Sequence, residues 1–171
     1  GDMYAFPFAF VETVLFYNKD AFDAAGLEYP SEGWTWDDFL AAAQALTIDE
    51  GNDGIVEQYG FWFYGRYAHI ESWVYQNNGV FLNENKTRFE PDANAVEALS
   101  FLDSLIHEYG VAPEPKEMEG IRQQDVFPLG MAAMWVDGGW NIEGNRTTIE
   151  DSFNWGIAPL PRGPQAEGDV A

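Results

Sequence analysis

The sequence predicts an α/β layer architecture, and three observations carry that expectation. Segments rich in β-branched and aromatic residues alternate with segments whose apolar residues recur at helical spacing. No internal repeat and no low-complexity tract breaks the alternation. With 171 residues and 46% hydrophobic content, the chain fits one domain able to bury roughly 70% of its unfolded surface.

The elements follow in order. FVETVLFY (residues 10–17) is dense in strand formers. Asn18 then caps a short helix through Ala25, and Gly26 supplies the left-handed stop. Thr35 opens a second helix with Asp38 at its third position, a capping box with Asp in place of Glu. Trp36, Phe39, Leu40, Ala43 and Leu46 form that helix's buried stripe. A polar, turn-rich stretch leads to a strand at 58–63, a helix at 67–76 and the turn Asn77-Asn78-Gly79. A long helix spans 91–109, with Val96, Leu99, Leu102, Leu105, Ile106 and Tyr109 as its core side. A short helix at 123–128, a strand at 131–136 and a strand at 154–158 complete the body. Residues 161–171 have linker composition.

Composition excludes several functions. Eight Lys plus Arg against 29 Asp plus Glu give a net charge of −21, which opposes nucleic-acid binding because phosphate neutralisation needs clustered cations. The acids are spread along the chain, so they read as solubilising rather than as a steering patch. With no cysteine there is no disulfide, thiolate metal site or cysteine nucleophile. No apolar run approaches the ~20 residues of a membrane helix. No P-loop, dinucleotide glycine motif or Gly-x-Ser-x-Gly occurs. His69 and His107 lack partners at zinc-ligand spacing, and neither a cofactor nor a metal is expected. Aromatics, in contrast, reach 16%, many beside glycine or polar turn residues. Flat rings at such positions can stack on the apolar faces of sugars, while carboxylates and amides bond the hydroxyls. An aromatic-rich core is the competing explanation for most of them.

Five stretches in order carry a resemblance: YNKDAFDAAGLEYPSEGWTWDDFLAAAQALT (17–47), QYGFWF (58–63), FEPDANAVEALSFLDSLIHEYGVAP (89–113), VFPLGMAAMWVDGGW (126–140) and FNWGIAPLPRGP (153–164). Together they resemble the family 1, maltose-binding-like bacterial extracellular solute-binding proteins, the receptors of ABC importers. The resemblance implies one lobe of a two-lobed periplasmic-binding-protein-like (type II) fold, a mixed sheet flanked by helices, with closure around ligand by hinge bending. It implies that residues 1–160 form the C-terminal lobe and 161–171 a crossover toward the other lobe. It further implies a non-enzymatic carbohydrate receptor, extracytoplasmic, whose partners are a sugar or oligosaccharide and a membrane permease. On the same fold the solute could instead be a polyamine, a peptide or glycerol phosphate. A glycan-processing enzyme is the reading from another class, although nothing singles out two of the 29 acids as a catalytic pair.

The family places the ring of the Gly-x-Trp corner at the ligand cleft, which makes Trp140 the first site candidate. Gly138 and Gly139 would permit tight turning there, so that a ligand could approach the backbone closely, with Gly139 as a site candidate. A ring packed into the lobe's own core is the alternative. Trp62 and Tyr64 share a side of the strand end, and alternation cannot bury Trp62, Phe63 and Tyr64 together, so at least one ring should be exposed. The alternative has the helix from Tyr67 covering them. Glu12, polar within an apolar run, is either a hydroxyl acceptor or a solvated strand position. Asp137 is either a cleft contact or a turn-stabilising Asx group. Trp34 and Trp36, at a helix start, read as packing. Asp49, Asp53, Gly54 and Glu57 form a degenerate calcium loop lacking two acidic ligand positions, so a solvated turn is expected instead.

Overall fold

The computed structural model describes residues 12–65 and 67–166, without the side chains of Tyr67 and Ala68. The chain runs β1 (Thr13–Asn18), α1 (Lys19–Ala25), α2 (Trp36–Leu46), β2 (Tyr59–Trp62), α3 (Tyr67–Gln76), α4 (Ala93–His107), β3 (Ala132–Gly138), α5 (Ile142–Ile149) and β4 (Trp155–Ala158). The sheet order is β2-β3-β1-β4. β1 pairs antiparallel with both β3 and β4, while β2 runs parallel to β3. This is the mixed, helix-flanked sheet that the family resemblance implies, within the α/β architecture expected from the residue pattern.

Local signals explain the helix ends. The Asn18 side chain accepts from Ala21 N, and Gly26 closes α1 with a φ of 68°. Thr35 and Asp38 form the reciprocal capping box that starts α2. One face of the sheet presents Leu15, Tyr17, Phe61, Met134 and Val136 to a core built by α1 to α4, including Phe22, Phe39, Trp73 and Leu102. The other face presents Phe16, Trp62 and Trp135 to Val126, Phe127 and Ile149.

Some expectations shift. The first strand lies at 13–18 rather than 10–17, and Phe10 and Val11 fall outside the described residues. α4, capped by Asp92, starts at Ala93, two residues inside the expected start, and the 123–128 helix is a single 3-10 turn at Gln123–Asp125. The buried stripe of α4 is Ala95, Ala98, Leu102 and Leu105, while Val96 and Tyr109 are exposed. The reason is close packing: a Cβ on Gly79 would come within 2.7 Å of Ala95 N, so the small alanines must face inward. The start of the 161–171 segment is fastened to the body. Arg162 N donates to Trp34 O at 2.8 Å, and Gly163 N to Gln76 O at 3.0 Å.

The acidic loop after α2 is a self-bonded turn. Asp49 accepts from Asp53 N at 3.1 Å and Gly54 N at 3.0 Å, and Glu57 accepts from Glu50 N at 3.0 Å. Its carboxylates thus hold their own backbone, and no cluster of three or more potential ligands that could hold a metal occurs among the described residues.

Candidate functional site

The site builds outward from the end of β3. All seven residues of that strand are buried, and a 3-10 turn at Gly139–Asn141 carries the chain into α5. Gly138 has a φ of −79°, so it is not glycine for dihedral freedom, contrary to the expectation of tight turning. It is glycine for space, because a Cβ there would collide with the Trp140 ring. The indole therefore lies across bare backbone with one side supported, and 51% of the residue remains exposed. At Gly139 a Cβ would meet only Ile142 Cδ1 at 3.9 Å, an ordinary contact. Gly139 N donates to Glu12 O at 3.0 Å, which ties the corner to the start of β1 and extends the Thr13–Gly138 pairing.

Glu12 is exposed, and it lines a cavity of about 610 Å³ with Thr13, Tyr75, Gln76, Ile157 and Pro159. That volume falls within the range of roughly 300–1,000 Å³ typical of small-ligand pockets. Tyr75 contributes a half-exposed ring whose hydroxyl donates to Glu71 Oε1. Gln76 Oε1 is a buried acceptor without a donor among the described residues. Tyr75, Gln76 and Ile157 were not legible as a set in the sequence, because α3 and β4 meet only in three dimensions.

The other candidates lie beneath this surface. Trp62 is 4% exposed and Tyr64 is 8% exposed, and Phe63 is partly buried against the core. The expectation that one of these rings must be exposed is thus corrected. Trp62 is covered by the segment after α4, where its indole N–H donates to Gln123 O at 2.9 Å. Tyr64 is covered by α3, with the His69 ring edge-on at 4.8 Å. Trp62 and Tyr64 do share a side, stacked at 6.3 Å.

Asp137 is fully buried. Its Oδ1 accepts from Gly138 N at 2.6 Å and faces His69 Nε2 at 2.9 Å, and its Oδ2 accepts from Tyr64 Oη at 3.3 Å. With both oxygens engaged inside the protein, it holds the turn and presents no carboxylate surface to a ligand. Sequence reasoning passed over His69 for want of metal-ligand spacing. Its partner lies 68 positions away, a separation that no local pattern reveals. The structure thus brings Trp140, Gly139 and Glu12 together at the surface and sets Trp62, Tyr64 and Asp137 below it.

The chain is similar to several known proteins. A binding protein of Brucella abortus (strain 2308) is 25% identical over 170 residues, covering 96% of this chain and 39% of that protein. The mannitol-binding protein of Pseudomonas aeruginosa is 27% identical over 171 residues, covering 93% and 37% respectively. Among solved structures, the ABC substrate-binding protein Lmo0181 of Listeria monocytogenes, in complex with cycloalternan, superposes with a TM-score of 0.78. It is 31% identical, with 91% of this chain and 38% of that one covered. The chain thus spans less than two-fifths of the length of these relatives. All of residues 1–171 match the family described as bacterial extracellular solute-binding proteins, and the chain belongs to that family.

Proposed function

We propose that the chain is the C-terminal lobe of a non-catalytic carbohydrate receptor serving an ABC-type importer, with 161–171 leading toward the other lobe. One observation carries the reading: a half-exposed tryptophan packed against the bare backbone of Gly138, at a corner tied through Gly139 to the exposed Glu12, which lines a cavity. A supported ring stacks on a sugar face with little ordering cost, and Glu12 accepts hydroxyl hydrogen bonds. Gly139 offers backbone for close approach. Trp62, Tyr64 and Asp137 contribute from beneath, by fixing the strand ends. Relatives of at least 25% identity support a sugar as the solute, since one is a mannitol-binding protein and others were solved with cycloalternan and with mannobiose. The receptor works outside the cytoplasm, as the family description implies, and hands its ligand to a membrane permease. No helix among the described residues is long and apolar enough to cross a membrane.

The test is calorimetry on the full-length receptor with mannobiose, maltotriose, mannitol and glycerophosphocholine. At least one of the three carbohydrates should bind, and Trp140→Ala should weaken that binding by at least about tenfold, roughly 1.4 kcal/mol. Preference for glycerophosphocholine over all of them would replace the sugar reading with a glycerol-phosphate one. Hydrolysis of maltotriose or mannobiose by the protein would overturn the receptor reading itself.

A further inference from the structure

The buried group beneath Trp140 has a proton count that sets it apart from ordinary core packing. His69 is 1% exposed and Asp137 is fully buried. His69 Nδ1 lies 3.1 Å from the Tyr64 carbonyl oxygen, and Nε2 lies 2.9 Å from Asp137 Oδ1. Both ring nitrogens therefore face acceptors. A neutral imidazole has one N–H and one lone pair, so it satisfies only one of these contacts and turns a lone pair toward the other. The arrangement closes only with one more proton, on Nε2 or on Oδ1. In either form the pair is neutral overall, which suits its burial.

That pair is coupled directly to the proposed platform. The same Oδ1 accepts from Gly138 N at 2.6 Å, and Gly138 is the residue whose backbone supports the Trp140 ring. Tyr64 closes the group from the other side, donating its hydroxyl to Oδ2 while its carbonyl receives Nδ1–H. Three separate parts of the chain meet here: the segment after β2, the first turns of α3 and the last residues of β3. From β1, the residue opposite Asp137 is the apolar Val14, and the Glu12 carboxylate is exposed. On its own helix, the nearest described acid is Glu71, which is engaged by Tyr75.

We propose that His69 and Asp137, sharing one proton, are positioning residues that fix the Gly138 backbone and thereby the plane of the Trp140 ring, so that ligand affinity depends on that proton. The proposal rests on the sugar-stacking reading of Trp140. Losing the proton sets the imidazole lone pair against the carboxylate, and the carboxylate turns away from its bond to Gly138.

Two measurements on the full-length receptor test it. The first follows the Trp140 indole N–H signal and the His69 ring nitrogens by NMR without ligand as pH is varied. The Trp140 signal should change together with the His69 ring signals, and a Trp140 signal that does not follow His69 overturns the proposal. This arm uses the wild-type protein and stands even if substitutions impair folding. The second is a double-mutant cycle with His69→Gln and Trp140→Ala, read with whichever of mannobiose, maltotriose and mannitol binds most tightly. His69→Gln should weaken binding at least about fivefold beside Trp140 and less than about twofold in the Trp140→Ala background, since coupled residues are non-additive. Equal losses in both backgrounds overturn it. If no sugar binds yet Trp140 follows His69, the sugar reading fails and the positioning role stands. If sugar binds through Trp140 while its signal ignores His69, the reverse holds.

Discussion

The ends of β2 and β3 make an instructive pair. The two strands are parallel neighbours, with Trp62 beside Trp135, so they leave the sheet at the same end. Each ends in a stretch of aromatic and glycine residues, YGFWFYG in one and WVDGGW in the other. Yet Trp62 and Tyr64 at the end of β2 are buried, whereas Trp140 after β3 is half exposed. The difference comes from what the chain does next. After Tyr64 it enters α3, whose His69 folds back over the tyrosine ring. After Gly138 it makes one 3-10 turn and lays Trp140 on a backbone with no side chain to push it away. A ring at a strand end thus becomes a platform only where the next element leaves it uncovered and the residue beneath it is small.

The largest expected effect comes from truncating one ring at each corner. Trp62→Ala should cost about 3–5 kcal/mol, the range for a buried aromatic, with the loss of its bond to Gln123 O included. Trp140→Ala should cost less than about 1 kcal/mol, because half its surface is already in water. Affinity should rank them the other way, with Trp140→Ala the more damaging among proteins that remain folded. Urea unfolding together with calorimetry reads both numbers. Equal stability losses at the two corners would break the comparison.

Gly138→Ala comes next. The new methyl must displace the indole, and overpacking of this kind typically costs about 1–3 kcal/mol where the neighbour cannot yield. Here the neighbour is an exposed ring, so the expected result lies at the low end for stability. Affinity should fall by about tenfold as the platform tips, and Trp140 emission should shift to the red. Undiminished sugar binding would show that the ring does not need its glycine floor.

How much of this was legible beforehand divides along the same line. Capping residues act within four positions, so Asn18, Gly26, Thr35 and Asp38 announced their helices correctly. Strand and helix order followed from apolar spacing, which is also local. The α4 stripe held at Leu99, Leu102, Leu105 and Ile106 but missed at Val96 and Tyr109, because Ala95 rather than Val96 packs close to Gly79, a contact from outside the helix. Exposure of Trp62 and Tyr64 failed for the same reason, since their covers are Gln123 and His69. The role of Gly138 was misassigned too. Sequence suggests dihedral freedom for any paired glycines, and only coordinates reveal a ring lying across one of them.

Ionic strength separates the corners in another way. With a net charge of −21, the folded chain repels itself, and added salt screens that repulsion. Raising salt from about 0.05 to 0.5 M should stabilise the fold by about 1 kcal/mol, some 2–4 °C in Tm. Stacking on Trp140 involves no charge, so affinity for a neutral sugar should change by less than about twofold over the same range. Affinity that moved in step with Tm would mean that ligand binding is limited by the stability of the lobe rather than by its ring.

Gly139→Ala is the smallest and most discriminating change. Its neighbour Gly138 has no room for a methyl, whereas a Cβ at 139 would meet Ile142 Cδ1 at 3.9 Å and nothing closer. Stability should therefore stay within about 0.5 kcal/mol of wild type, the usual range for a tolerated substitution. The amide that donates to Glu12 O is retained, so the corner keeps its tie to β1. Any loss of affinity must then arise from the methyl standing where the ligand approaches the backbone. A drop of about threefold or more with unchanged Tm would locate the sugar against Gly139 as well as against the ring. Unchanged affinity would confine the contact to the face of Trp140 and the Glu12 side, leaving Gly139 as a hinge between them and no part of the contact itself.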